Sequence, residues 1–202
     1  MPGAPFPVDH SVTAVAVHPS GTLIFATRDE QHTGDGVAVF QLQSNGSLSP
    51  APGSPYDTQI GPQALVVDPS GKYIYVADST SYIDAFSIDE TTGALTPLPG
   101  SPFPIPVPGN CAYGTSFPLD IIDPAGRYLY TADAWMDSIS GFAVAGTNGT
   151  LTDVAGPSWA DNGGSNVPID CQTCVTNPIS LAIDGSGKFL YGVNSDVEDI
   201  SI

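Results

Sequence analysis

Apolar and polar positions recur along this chain in one four-part pattern. The clearest copy has an apolar run, Ala64–Val67, then Asp68-Pro69-Ser70-Gly71, then a second run, Tyr73–Ala77. Both runs are short, rich in β-branched and aromatic residues, and bounded by turn formers, which predicts strands. The first has almost no polar residue, as expected for a strand buried on both faces. Between them, Asp68 can cap the turn through its side chain, Pro69 sets φ, and Gly71 tolerates a positive φ. A third strand is expected at Ile83–Ile88, a turn at Glu90-Thr91-Thr92-Gly93, and a fourth strand at Ala94–Leu98. The segment Gly100-Ser101-Pro102-Phe103 then closes the unit, after the fourth strand.

Three further segments copy the first half of this unit. They are TAVAVHPSGTLIFAT from Thr13, PLDIIDPAGRYLYTA from Pro118 and ISLAIDGSGKFLYGV from Ile179. Their turns begin at His18, Asp123 and Asp184, so the period is about 50 residues and lengthens toward the C-terminus. Four antiparallel strands in a repeat of that length predict an all-β fold, a β-propeller of four-stranded blades. A β-solenoid has shorter repeats, and a sandwich would not repeat its turn chemistry four times. The repeats run over about 13–56, 63–103, 118–159 and 179–202, within one domain spanning 1–202. A blade tail, 1–8, precedes them: Met1-Pro2-Gly3-Ala4-Pro5-Phe6-Pro7 matches Leu98-Pro99-Gly100-Ser101-Pro102-Phe103-Pro104. About three and a half blades are thus expected, with two open ends. Open blade edges invite pairing with other strands. The expectation is therefore that missing blades or a second copy close the ring, with a fragment of a larger propeller favoured over a short chain that oligomerises.

Composition sharpens this picture. Gly and Pro, 22 and 20 of 202 residues, imply many turns and few long helices. The 21 Asp and Glu against 4 Lys and Arg leave a net charge of −17. Nucleic-acid binding needs a basic patch to displace counterions, and four cations cannot form one. The same shortage argues against an anionic membrane surface. No apolar stretch is long enough for a membrane-spanning helix. The N-terminus, MPGAPFPVDHSV, lacks the basic and apolar regions of a signal peptide.

One blade carries a family resemblance. Pro62-Gln63-Ala64, Asp68-Pro69-Ser70-Gly71-Lys72-Tyr73-Ile74-Tyr75-Val76-Ala77-Asp78, Phe86-Ser87-Ile88-Asp89, Thr92-Gly93-Ala94-Leu95-Thr96 and Gly100-Ser101-Pro102-Phe103 together resemble a blade of the lactonase-type seven-bladed propellers. That family includes 6-phosphogluconolactonase and the muconate-lactonizing cycloisomerases. The resemblance covers nearly the whole chain. It implies lactone hydrolysis or lactone formation at the mouth of a central channel, through His, Arg and acidic side chains. No catalytic motif of the family matches residue by residue, and no cofactor is implied. Surface and secreted propellers without known activity share the blade pattern, so a non-catalytic protein or glycan binder is the alternative.

The loops expected at the channel mouth hold the candidate chemistry. Arg28 alone takes the position at the end of the second strand that is Asp78, Asp133 and Asn194 in the other repeats. Lys72, Arg127 and Lys188 all fall in the first turn, at the opposite end. Arg28 lies beside Asp29, Glu30 and His32 and could bind a carboxylate or lactone oxygen; a salt-bridged loop residue is the structural alternative. His10, next to Asp9, could act as general base for water attack on a lactone carbonyl, or be a solvated loop residue. Glu30, Asp78, Asp133 and Asn194 are ligand-binding candidates. As a ring of oxygens the last three could hold Ca²⁺, although no known calcium-loop spacing is present and turn capping is the plainer role. His18, in place of the turn Asp, is expected to be structural.

Cys111 and Cys171 occupy equivalent places before Pro118 and Pro178, with Cys174 close by. Four Cys or His ligands for zinc are lacking, and a redox pair would sit at a strand–helix junction. A disulfide between two neighbouring loops is the preferred reading, and it would imply an oxidising compartment, extracellular or periplasmic. No metal site is assigned. There is no G-x-S-x-G, Walker loop or H-E-x-x-H, so a covalent hydrolase or nucleotide enzyme has no support.

Overall fold

The computed structural model describes residues 6, 11–29, 35–106, 118–133, 138–154, 159–160, 178–194 and 199–201. Among them every regular element is a strand, and the strands form four antiparallel sheets, one per repeat. Blade one holds β1 (Val15–Val17), β2 (Leu23–Arg28), β3 (Gly36–Leu42), β4 (Leu48–Pro50) and β5 (Tyr56–Asp57). Blade two holds β6 (Pro62–Val67), β7 (Tyr73–Asp78), β8 (Tyr82–Ile88), β9 (Leu95–Pro97) and β10 (Phe103–Pro104). Blade three holds β11 (Pro118–Ile122), β12 (Tyr128–Asp133), β13 (Ser138–Val144), β14 (Leu151–Asp153) and β15 (Trp159–Ala160). Blade four holds β16 (Pro178–Ile183), β17 (Leu190–Asn194) and β18 (Asp199–Ser201).

The first strands of successive blades pack side by side, β1 to β6 to β11 to β16, which makes them the innermost layer around the channel. They are less covered than their sequence implies. β6 is partly buried, and β1 leaves Val15 and Val17 exposed. No sheet among the described residues packs on that face of blade one, whereas blade one covers the equivalent Leu65, so an apolar composition does not guarantee burial on both faces.

The closing segment departs from expectation. Gly100-Ser101-Pro102-Phe103 does not follow the outer strand but is part of it. β9 pairs with the end of β8, and β10 pairs with its start, Phe103 with Ile83 and Pro104 with Tyr82. Blade one repeats this with β4 and β5 on β3, and blade three with β14 and β15 on β13. The break between the two pieces is sealed by a serine. The Ser54 and Ser101 hydroxyls accept the N–H groups of Val39 and Ala85, at 2.8 and 2.9 Å. Those donors face the gap in the outer strand, so a side-chain oxygen replaces the missing backbone carbonyl.

The first turns behave as their chemistry predicts. Asp68 accepts the Ser70 and Tyr73 N–H groups, Asp184 those of Ser186, Lys188 and Phe189, and Gly71 has φ +77°. Burial raises the Asp123 carboxyl, but bonds from the Tyr128 and Arg127 N–H groups and the Arg127 guanidinium outweigh it and hold the group below its usual range. These turns also join blades. The buried His18 ring bonds the Gly71 carbonyl of the next blade through Nε2, at 2.8 Å. Because the Ser20 N–H donates to Nδ1, the ring proton sits on Nε2 and is donated to Gly71.

Two apolar clusters fill the junctions. Leu23, Phe25, Val37 and Val39 of blade one meet Leu65, Ile74 and Phe86 of blade two. Tyr75 and Ile83 of blade two meet Leu129 and Phe142 of blade three. The Tyr75 hydroxyl donates to the Gly149 carbonyl at 2.8 Å, and burial pushes that phenol well above its usual range.

Candidate functional site at the channel mouth

Each second strand runs from the turn that joins the blades toward the opposite end, the mouth. β2, β7, β12 and β17 end there in Arg28, Asp78, Asp133 and Asn194, one from each blade. Arg28 pairs with Gly36, Asp133 with Ser138 and Asn194 with Asp199 across the hairpin. Arg28 is half-buried and engaged with neighbours, and Asp29 continues the edge by bonding the Ser11 carbonyl at 3.0 Å. Lys72, Arg127 and Lys188 lie at the other end, where Arg127 pairs with Asp123 at 3.1 Å and covers the Tyr128 ring. Arg28 is therefore the cation that strand geometry brings to the mouth, among the described residues.

Asp78 is buried, and its Oδ1 accepts the Thr80 and Tyr82 N–H groups and the Thr80 hydroxyl, capping the turn that follows. Its Oδ2 is buried without a partner. Burial raises its carboxyl above the ordinary range against the pull of those bonds. Asp133 is also buried and partnered. His10, Asp9, Glu30 and His32 lie outside the described residues, as do Cys111, Cys171 and Cys174. Among the described residues no group of three or more His, Cys, Asp or Glu could hold a metal ion.

Two acidic residues that the repeat pattern did not single out complete the mouth between blades one and two. Asp35 accepts the Gly61 N–H at 2.8 Å, and Asp84 accepts the Gln59 N–H at 2.7 Å. With Ser79, whose N–H bonds the Gly61 carbonyl, they hold the connection Thr58–Gly61 from both sides. Burial, reinforced by the nearby Asp78 charge, pushes Asp84 up to about 6, while the Gln59 bond opposes it. Deeper in, the Thr13 hydroxyl bonds the Pro62 carbonyl and the Thr27 hydroxyl, both at 2.7 Å, tying the inner strands together. Asp84 had a sequence signal: it is a lone carboxylate inside the apolar run Ile83–Ile88. Its equivalents by register are Ala38 and Ser140.

The junction between blades two and three differs. Thr131 and Ser140 face each other across β12 and β13, and both hydroxyls are buried without a partner. Both junctions thus carry buried polar groups among the apolar side chains on their mouth side.

Comparison with known proteins places this architecture. Residues 1–112 match the family described as "Lactonase, 7-bladed beta-propeller". No curated protein sequence matches the chain. Among solved structures, a proposed 6-phosphogluconolactonase from Bacteroides uniformis superposes with TM-score 0.68 at 23% identity, covering 90% of this chain and 46% of its own. The Pseudomonas aeruginosa periplasmic gluconolactonase gives 0.61 at 19%, covering 89% and 49%. An auxiliary nutrient binding protein from Bacteroides thetaiotaomicron gives 0.59 at 16%, covering 94% and 44%. At these identities the likeness is one of fold. The chain spans about half the length of these structures. No described helix is long and apolar enough to cross a membrane.

Proposed function

The chain belongs to the lactonase family of seven-bladed β-propellers, and on that premise we propose that it hydrolyses a lactone by general acid/base chemistry at the channel mouth. The observation that carries this reading is the placement of Arg28, a single cation among mouth carboxylates, with the three other described cations at the far end. A guanidinium there can donate two parallel hydrogen bonds to a lactone carbonyl and stabilise the oxyanion that forms when water adds. His10, next to Asp9 in the sequence, is the candidate general base that takes the proton of the attacking water. The ring oxygen leaves as an alcohol as the carbonyl re-forms, and the proton on His10 returns to it. The substrate is a neutral sugar lactone. A phosphorylated one would call for several cationic partners, and a chain of net charge −17 repels it. The Pseudomonas aeruginosa protein is named for a neutral lactone, which supports this substrate class, whereas the Bacteroides uniformis protein is named for a phosphorylated one and supports only lactone hydrolysis in general. Location outside the cytoplasm fits a disulfide among Cys111, Cys171 and Cys174, and the Pseudomonas protein is named periplasmic.

A second reading is a non-catalytic propeller that binds a glycan, and the nutrient-binding neighbour favours it. One experiment separates the two. The rate of glucono-lactone hydrolysis is measured above the spontaneous background, for the natural protein and for Arg28→Ala. The lactonase reading expects acceleration on the neutral lactone, little on its 6-phosphate, and a loss of about 100-fold or more in Arg28→Ala with unchanged circular dichroism. Hydrolysis at background rate, or indifference to Arg28→Ala, would hand the site to the binding reading.

A further inference from the structure

The junction of blades one and two buries two carboxylates side by side. Asp78 is 0% exposed and Asp84 6%. Asp84 lies opposite Val76 in the register of β7 and β8, and Asp78 is two residues beyond Val76. Side chains alternate along a strand, so both acids stand on one face of the sheet, diagonal to each other. It is the face that Ile74, Val76 and Phe86 turn toward blade one. Asp78 caps its turn through Oδ1, and its Oδ2 is a buried acceptor with no donor. Asp84 uses Oδ2 for the Gln59 N–H, which leaves Oδ1 to carry a proton. The other titratable groups around the pair are acids and one phenol: Asp29 and Asp35 of blade one, Asp57 at the head of the connection, and Tyr82 on β8. Arg28 belongs to the other face of β2, because Leu23, Phe25 and Thr27 take the face toward blade two. Among the described residues no cation therefore offsets a second charge here.

We propose that Asp78 and Asp84 share one proton, and that this proton keeps the connection Thr58–Gly61 seated at the mouth. When Asp84 takes a proton from solvent on Oδ1, its hydroxyl becomes the donor that Asp78 Oδ2 lacks, and the pair carries one charge instead of two. Its Oδ2 goes on accepting the Gln59 N–H, while Asp35 holds the same connection from blade one through the Gly61 N–H. When the proton leaves, two buried carboxylates stand beside Asp35. Water must then reach them, and the connection over Asp84 is the element that yields. Burial first, and the Asp78 charge after it, raise Asp84 to about 6, the direction that the shared proton requires. The connection is thus held in mild acid and loosened above neutrality.

The test follows the aspartate side-chain carboxyls of the full chain by carbon-13 NMR across pH, in the unaltered protein, Asp78→Asn and Asp84→Asn. One carboxyl should titrate far above the ordinary range, and Asp84→Asn should abolish that step. Asp78→Asn should move it down by about one pH unit or more, because the neighbouring charge is gone. Exchange of the Gln59 amide hydrogen, corrected for its intrinsic pH dependence, should be at least about tenfold faster at pH 7.5 than at pH 5 in the unaltered chain. In Asp84→Asn that difference should vanish, since an amide donates to Asp78 Oδ2 at every pH. A titration step that Asp78→Asn leaves in place overturns the proposal, because burial alone would then hold the proton. So does equal Gln59 protection at both pH values in the unaltered chain. Should Asp78→Asn fail to fold by circular dichroism, Asp84→Asn decides: pH-dependent Gln59 exchange that survives in it overturns the proposal, and its loss sustains it.

Discussion

The junction between blades one and two can be set beside the outer face of blade four, because the same repeat positions build both. At the junction Leu23 and Phe25 are buried under Leu65 and Ile74. On blade four Phe189 is exposed and Tyr191 half-buried, although both sit in equally regular strand registers. Strand formation and burial are therefore separate events here. Turn chemistry and hydrogen-bond ladders shape each blade alone, and the next blade decides whether its apolar face is dry. Stability in such an array is a sum of blade terms and neighbour terms.

The comparison breaks most visibly on substitution. Phe25→Ala should cost about 3–5 kcal/mol, because it leaves a cavity between two closed sheets. Phe189→Ala should cost well under about 1 kcal/mol in the 202-residue chain, because water already reaches the ring. Urea titration of the two variants beside the unaltered chain checks both. A Phe189→Ala cost as large as that of Phe25→Ala would show that position within the repeat, rather than covering by a neighbouring sheet, sets the loss.

A smaller effect tests the buried carboxylate at the mouth side of the junction. Asp84 titrates at about 6 in the folded chain against an ordinary 3.8. The folded state thus holds this proton more tightly than the unfolded one. The group's contribution is fully present below about pH 4 and is lost as pH rises through about 6, at a cost of up to roughly 3 kcal/mol. Asp84→Asn keeps an acceptor for the Gln59 N–H without the buried charge. Its urea midpoint should exceed that of the unaltered chain at pH 7.5 and match it near pH 4. Equal midpoints at both pH values would show that the carboxylate is adequately solvated.

The smallest effect tests the link at the turn end. His18→Ala removes the bond to the Gly71 carbonyl and should cost about 1–3 kcal/mol. His18→Asp, which restores the turn cap of the other blades, should recover the local cap but not the bond across the junction. Thermal melting of the three chains orders them, and a His18→Ala chain as stable as the parent would show that water replaces the ring.

Much of the fold was legible in the sequence because it is written four times. A turn such as Asp68-Pro69-Ser70-Gly71 specifies its geometry through its own side chains, so local chemistry suffices. Repetition then identifies the blade, and the position of Arg28 at the mouth follows from counting along the second strand. The split outer strand was not legible. Gly100-Ser101-Pro102-Phe103 reads as a terminator, and its return to the start of β8 depends on Ser101 meeting the Ala85 N–H from a distant strand. Asp84 was present as a lone acid in an apolar run, but its partner Gln59 lies in another connection.

The sequence by itself determined the repeat, the four-stranded blade, the capped turns and the end of each strand at which cations and carboxylates stand. These follow from residues near one another in the chain, where side-chain size, φ preference and hydrogen bonding act directly. Tertiary structure alone decided which apolar faces are dry, that His18 bonds Gly71 in the next blade, and that burial beside Asp78 raises Asp84. Those outcomes depend on the removal of water by segments about fifty residues away, and no local pattern encodes how closely such segments approach.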